Sequence, residues 1–365
     1  MRLGASAAFV DGALVPGDVS ISDGVVAGVG LPPGRGGVVI AGMVDLQVNG
    51  YAGVDFLGAD VDGWLEAARV LARGGVTSYV ANLITSPESV VTDALGVASK
   101  VQAVGVGDVA RLLGAHLEGP FLSPAKAGTH PVEHLRAPDL ALLSRLVAAG
   151  PVVGVTLAPE LPGALDLIAW LGDRSVLVAL GHSATGDVAA NAAFDAGASA
   201  VTHVFNAMST PTSRSAGLAG VALARPDVAV EMICDGVHLA PDTVALVVAA
   251  ARERFVLVTD ALSAAGAGPG RHRLADMELF VVDGVARRAD GTLAGSVLSM
   301  AGALRAVVET GATFEQAAAA ATSRPAALLG RDDVGRLRPG ARADVVVLDD
   351  ALTVTTTLLG GEPVD

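Results

Sequence analysis

Four residues with metal or proton chemistry stand out in the sequence: Glu118, His182, His203 and Asp260. Each sits in or just after a short apolar run: Glu118 ends RLLGAHLE, His182 follows SVLVALG, His203 follows AVT, and Asp260 ends RFVLVTD. One carboxylate and two imidazoles suit a borderline divalent ion such as Zn2+, with a coordination position left for water. A carboxylate beside such an ion can accept a proton from water and pass it to a leaving group, the role expected of Asp260. The plain alternative for Asp260 is a turn or helix-capping aspartate. His130 lies in KAGTHP, just past the run that carries Glu118, and could polarise a carbonyl. His116 lies two residues before Glu118 and shares its strand face. It could be a second ligand or, as favoured here, a group that orients Glu118. His134 and His272 have no such context and read as surface residues.

Repeating elements must bring these side chains together. Eight apolar runs recur at 43–50, 76–83, 110–121, 152–160, 175–183, 200–208, 228–238 and 254–261, separated by Ala/Leu-rich segments of helical spacing. Runs that are apolar throughout are what parallel strands buried on both faces require. Eight strand–helix repeats predict an α/β fold, a (β/α)8 TIM barrel, over 43–330. A doubly wound open sheet is the alternative, but no strand is followed by a Gly-rich dinucleotide fingerprint. Most runs end in polar residues: Gln47 and Asn49 in the first, Asn206 beside His203 in the sixth, Asp235 and His238 in the seventh. In a barrel these ends converge on the C-terminal mouth, where catalysis takes place in this fold. Residues 1–42 and 331–365 alternate short apolar runs with turn signals such as Asp11-Gly12 and Asp23-Gly24. Neither segment can bury a sheet alone, so the two are expected to pair into one small β-sandwich domain. The segment 272–296 follows the eighth strand and could fold over the mouth.

Composition narrows the class further. The chain has 365 residues, 52% hydrophobic and 17% charged, which marks a folded globular protein. Its 24 basic and 38 acidic residues give a net charge of −14, which argues against nucleic acid or an anionic membrane as partner. A few local cations could still bind an anionic substrate. Cys234 is the only cysteine, so no internal disulfide framework exists and a cytoplasmic location is expected. The longest uncharged stretch, 196–213, holds His203, Asn206, Pro211 and several hydroxyls, and does not read as a bilayer span. The Ala-rich start faintly imitates a signal peptide but is too short, and Asp11-Gly12 reads as a hairpin turn.

The motifs AGMVDLQVNGYAG, HLEGPFL with KAGTHP, LGHSAT, THVFNAM, ICDGVH, VTDA and LAGS occur in this order. Together they resemble the N-acetylglucosamine-6-phosphate deacetylases of the amidohydrolase superfamily, over essentially the whole chain. HLEGPF with THVFNAM carries most of the specificity; VTDA alone is weak. The resemblance implies that Glu118, His182 and His203 hold one divalent metal ion per subunit, Zn2+ first, with Fe2+, Mn2+ or Co2+ as alternatives. It implies Asp260 as the acid/base, with His130 assisting at the carbonyl. Thr129-His130, Asn206-Ala207, Arg214, His238 and Leu293-Ala294-Gly295 match substrate-contacting positions, and Asp235 beside His238 is taken with them. The implied reaction is removal of the N-acetyl group of N-acetylglucosamine 6-phosphate, giving glucosamine 6-phosphate and acetate. Arg214 and His238 would contact the phosphate, and a homodimer is implied. Two-metal members of the superfamily carry His-X-His at the end of strand one; here Gln47 and Asn49 stand there, and amides are poor Zn2+ ligands, so a second site should be weak or absent. The closest alternatives are an N-acetylgalactosamine-6-phosphate deacetylase or another deacetylase of the superfamily. A non-catalytic barrel scaffold is more remote, since it would have no need of the four polar strand-end residues.

Overall fold

The computed structural model describes residues 1–105 and 107–364. Asp365, the last residue of the expected terminal unit, lies outside them. All eight apolar runs contain strands: Met43–Val48, Val76–Ile84, Arg111–Glu118, Val152–Leu157, Leu177–Leu180, Ala200–Val201, Ala229–Met232 and Phe255–Leu257. They form one eight-stranded parallel sheet in sequential order. A parallel bridge between Val48 and Ala261 brings the eighth strand's end to the first, so the sheet curls into a (β/α)8 barrel. The helices between strands bury one face each. The first, Val61–Arg73, starts where the Asp60 carboxylate accepts from the Gly63 N–H and packs Trp64, Ala67, Ala68 and Leu71 inward.

Alternation along the strands sorts two kinds of core. Leu117, Val155, Leu157, Val178, Leu180 and Val230 join the large cluster shared with the helices. Val44, Leu46, Val80, Leu113, Val256 and Val258 form a second cluster with Ala326, from the short helix Ser323–Leu328. Above this apolar floor the opposite register of the strands carries Asn82, His116, Glu118, Thr156, Thr202 and Glu231, all buried. Crowding there sets local sequence: a Cβ at Gly154 would fall 2.6 Å from His116 Nδ1, so glycine makes room for that ring.

The terminal segments meet in one six-stranded sheet. Ala7–Val10 and Ala13–Pro16 form a hairpin, Val38–Ala41 pairs with both the first of these and Val345–Leu348, and Val354–Leu359 and Glu362–Pro363 complete the order. The hairpin Asp18–Ser22/Val25–Leu31 packs on it through Val19, Ile21 and Val26, against Val39, Val345 and Leu358. After barrel strand eight, Gly270–Leu274, Met277–Val282 and Val285–Arg288 form a three-stranded sheet. Among the described residues no helix is long and apolar enough to cross a membrane.

Glu231 offers a test of the buried polar layer. It is 2% exposed, and its Oε1 has no hydrogen-bond partner among the described residues. Burial pushes its carboxyl up to about 8, opposed by the Thr202 hydroxyl. The folded value lies above the unfolded one. Stability from this group is therefore full below about pH 4 and is lost as pH rises towards 8. Glu231→Gln removes that loss. Between pH 5 and pH 8 the variant should gain on the order of a few kcal/mol relative to the native chain, read by chemical denaturation. A constant difference across this window contradicts a protonated Glu231.

Candidate metal and hydrolysis site

The site is built where strands stop. Strand five ends two residues before His182 and strand six two residues before His203; Asp260 follows strand eight. His182, His203 and Asp260 all take left-handed backbone, with φ of 46°, 26° and 48°. Non-glycine residues adopt this region only when the surroundings impose it, and it turns each side chain off the strand path. The following loops are pinned: Glu160 accepts from the Ser183 hydroxyl at 2.6 Å and from the Ala184 N–H at 2.7 Å. A Cβ at Gly295 would fall 2.7 Å from the Asp260 carbonyl, so the loop after the small sheet can approach strand eight only as glycine.

Three ligand-type atoms converge. Glu118 Oε1 lies 3.0 Å from His182 Nε2 and 3.0 Å from His203 Nε2, and the two nitrogens are 3.1 Å apart. His182 Nδ1 faces the Lys126 carbonyl at 2.9 Å. A carbonyl only accepts, so Nδ1 carries the proton and Nε2 turns a lone pair towards the carboxylate. His203 Nδ1 has no partner among the described residues. Ligands about 2.0–2.1 Å from a tetrahedral ion stand roughly 3.3 Å apart. The triangle therefore fits a divalent ion after a small outward shift. His130 also comes close, with Nε2 3.7 Å from Glu118 Oε1, and ligand atoms of Glu118, His130 and His182 all fall within 4.8 Å of one another. The Thr85 N–H, which can only donate, points at His130 Nδ1 at 3.3 Å. The Thr85 hydroxyl oxygen lies 3.0 Å from the same nitrogen, and with Nδ1 as the acceptor of the N–H the His130 proton sits on Nε2, aimed into the site. Burial holds the ring neutral, its value lowered to about 4.

The two carboxyls of the site diverge. Burial alone would raise Glu118, but the imidazoles around it, His130 with its Nε2–H first, hold it well below the usual range. Asp260 is pushed well up by burial and then by the charge on Glu118, with the Asn49 amide opposing. Asn49 Nδ2 donates to Asp260 Oδ1 at 2.7 Å. Asn82 Nδ2 donates to Glu118 Oε2 at 2.7 Å and to Asn49 Oδ1 at 2.9 Å. One acidic oxygen, a donor ring and a metal-type triangle on one wall can activate water and polarise an amide carbonyl.

Above them opens a cavity of about 340 Å³. Asn49, Glu118, Thr129, His130, His182, His203, Asn206, Ala207, His238, Asp260, Leu293 and Gly295 line it. The Thr129 hydroxyl is buried there and has no partner among the described residues. His238 is held by Asp235, Nδ1 to Oδ2 at 2.7 Å, so Asp235 backs the wall without lining it. Ala294 is buried behind Leu293 and Gly295. Gln47 sits deeper than Asn49, accepting from the Thr202 hydroxyl at 3.1 Å. Arg214 is exposed and does not line the cavity; its loop is tied down through Asp187, which accepts from the Ser215 hydroxyl and from the N–H groups of Ala216 and Gly217. His116 does not orient Glu118: its Nε2 pairs with Thr156 Oγ1 at 2.7 Å, because strand register points it at the neighbouring strand.

Sequence reasoning missed Asn82, Lys126 and Thr85. Asn82 sits two residues before the end of its strand, and an amide at an inward position was the available signal. Lys126 lines the cavity and holds His182 through its backbone, which no side-chain pattern can announce.

Comparison with known proteins extends the picture. An amidohydrolase family model matches residues 38–364. The chain is 39% identical to an N-acetylgalactosamine-6-phosphate deacetylase of Escherichia coli O157:H7, over 94% of this chain and 93% of that one. It is 40% identical to a human N-acetylglucosamine-6-phosphate deacetylase, over 90% of this chain and 83% of that one. A solved structure of a variant N-acetyl-D-glucosamine-6-phosphate deacetylase from Mycobacterium smegmatis, in complex with N-acetyl-D-glucosamine 6-phosphate, superposes with a TM-score of 0.94 at 35% identity, covering 100% of this chain and 99% of that one. Polar strand ends on a closed barrel, and this likeness across nearly the full length, lead to one assignment: the chain belongs to the amidohydrolase family.

Proposed function

We propose that this chain hydrolyses the N-acetyl group of N-acetylglucosamine 6-phosphate, releasing acetate and glucosamine 6-phosphate. The observation that carries the reading is the triangle of Glu118, His182 and His203 with Asp260 beside it in one cavity. The relatives named for this reaction support the substrate.

Glu118, His182 and His203 would hold the ion, with Zn2+ the best match to two imidazoles and one carboxylate, and Fe2+, Mn2+ or Co2+ compatible with the same donors. When bound, the ion supplies Lewis acidity at the amide carbonyl and makes water nucleophilic near neutral pH. Asp260 takes the proton from the attacking water and delivers it to the departing nitrogen, without which an amine is a poor leaving group. His130 donates its Nε2–H to the acetyl oxygen as negative charge builds there. The Thr129 hydroxyl, unpaired among the described residues, offers a hydrogen bond to the sugar.

The phosphate needs cations in an acidic protein. His238 and Lys126 lie in the cavity wall, and Arg214 stands outside it. A homodimer resolves this: a second copy can bring the Arg214 loop to the mouth. Val188, 86% exposed, follows Asp187, the residue that anchors that loop, so one surface combines an apolar contact with the arginine. The sole thiol, Cys234, is buried, in keeping with a cytoplasmic enzyme. N-acetylgalactosamine 6-phosphate is the second reading, favoured by the relative of that name.

Acetate release should be measured on N-acetylhexosamines with and without 6-phosphate, in the presence of Zn2+. The phosphorylated glucosamine derivative should be turned over fastest, and each phosphorylated sugar should exceed its parent by about 100-fold in kcat/KM, the worth of two charge-assisted contacts. No release from any of them contradicts the assignment. Asp260→Asn should lower kcat by at least about 100-fold while the purified protein still carries its ion; near-normal turnover removes Asp260 from the proton path. Arg214→Ala should cost about tenfold or more in kcat/KM for the 6-phosphate and leave unphosphorylated sugars unchanged. Equal effects on both would place Arg214 away from the phosphate.

A further inference from the structure

We propose that Asn82 is a positioning residue whose one amide nitrogen ties the metal-side carboxylate to the proton-carrying carboxyl and selects the reacting oxygen of each. The inference rests on the reading of Glu118 as a ligand and Asp260 as the proton carrier. Asn82 is 1% exposed, on the second barrel strand, Val76–Ile84. A carboxamide nitrogen has two hydrogens. Those of Asn82 are spent on Glu118 Oε2 and Asn49 Oδ1, at 2.7 and 2.9 Å. Glu118 as a carboxylate can only accept, so the Asn82 amide cannot be reversed. Because Asn49 Oδ1 receives the second hydrogen, Asn49 must turn its own nitrogen away. That nitrogen meets Asp260 Oδ1 at 2.7 Å and the Ala261 carbonyl at 3.3 Å. Donation thus runs outward from strand two to strand three, and through strand one to strand eight.

Each end gains an assignment. With Oε2 engaged, Glu118 is left to face His182 and His203 through Oε1 alone, as observed at 3.0 Å each. With Oδ1 engaged, Asp260 keeps Oδ2 for the proton it exchanges. Asn82 Oδ1 has no hydrogen-bond partner among the described residues although it is buried. An asparagine retained only to satisfy the interior would pair that carbonyl, since leaving it bare costs about 1–3 kcal/mol. The side chain is thus oriented by the two hydrogens of its nitrogen and not by its oxygen.

The test uses the full chain with Asn82→Leu, Asn49→Ala and both together. It reads kcat and KM for acetate release and the Zn2+ dissociation constant by competition with a chromophoric chelator. Asn82→Leu should raise the Zn2+ dissociation constant about tenfold and lower kcat about 10- to 100-fold, the usual cost of losing a group that orients a ligand, with KM within about 3-fold. The double variant should lose little more in kcat than the worse single, because both break one chain of contacts. Native kcat with native Zn2+ affinity overturns the proposal, and so do losses that multiply in the double variant. If Asn82→Leu does not fold, Asn82→Ser, whose single hydroxyl hydrogen cannot serve both acceptors, must show at least a tenfold loss in kcat at near-native KM; a smaller loss overturns the proposal as well. Should the native enzyme release no acetate at all, the substrate reading falls, while the Zn2+ arm still decides whether Asn82 holds Glu118.

Discussion

Three ligand-type atoms facing one another across about 3 Å make an arrangement that a divalent ion would complete. Glu118 Oε1 and the Nε2 atoms of His182 and His203 are in that position, and His182 spends its Nδ1 proton on the Lys126 carbonyl, which leaves its Nε2 to the cluster. A carboxylate buried among imidazoles is stable only when its charge is matched by hydrogen bonds or a cation. The rest of the upper barrel can be understood as what holds this cluster in place. Left-handed backbone at His182 and His203 turns their rings inward, Glu160 pins the loop after His182, and Asn82 occupies the outer oxygen of Glu118. Such strain persists where the surrounding structure over-determines it.

The barrel makes this possible because it separates stability from chemistry. The helix-packed cluster and the apolar floor around Val44, Leu46 and Val256 bury the apolar surface that drives folding. The layer above can then carry His116–Thr156, Gln47–Thr202 and Glu231 at some cost. Asp260 draws on the same setting. It shares a dry interior with the charge on Glu118, and the Asn49 amide engages one of its two oxygens.

Much of this was legible in the sequence, for physical reasons. Parallel strands buried on both faces leave long apolar runs, so all eight barrel strands were visible, and polar residues at their ends stood out against Val, Ala and Leu. Glu118, His182, His203 and Asp260 stood out because each carries a chemistry that packing does not explain, and the fold brings all four to one cavity. What escaped depended on meeting across strands. Asn82 is inconspicuous in VTSYVANLI until the neighbouring strands place Glu118 and Asn49 on either side of it. Lys126 acts through a carbonyl, which every residue has. His116 shares the face of Glu118, but register sends its ring to Thr156. Arg214 was expected at the substrate, and its exposed loop shows why a pattern in one chain can point to a group that the single chain does not bring to the cavity.

The proposed site takes one ion, between Glu118, His182 and His203. Diffraction from crystals of the Zn2+-loaded protein, with anomalous data collected on both sides of the zinc edge, tests it most directly. A single peak is expected about 2.0–2.2 Å from Glu118 Oε1, His182 Nε2 and His203 Nε2, with His130 directed at the substrate side. A peak that takes His130 in place of His203, or a second peak of equal height against Gln47 and Asn49, would contradict it.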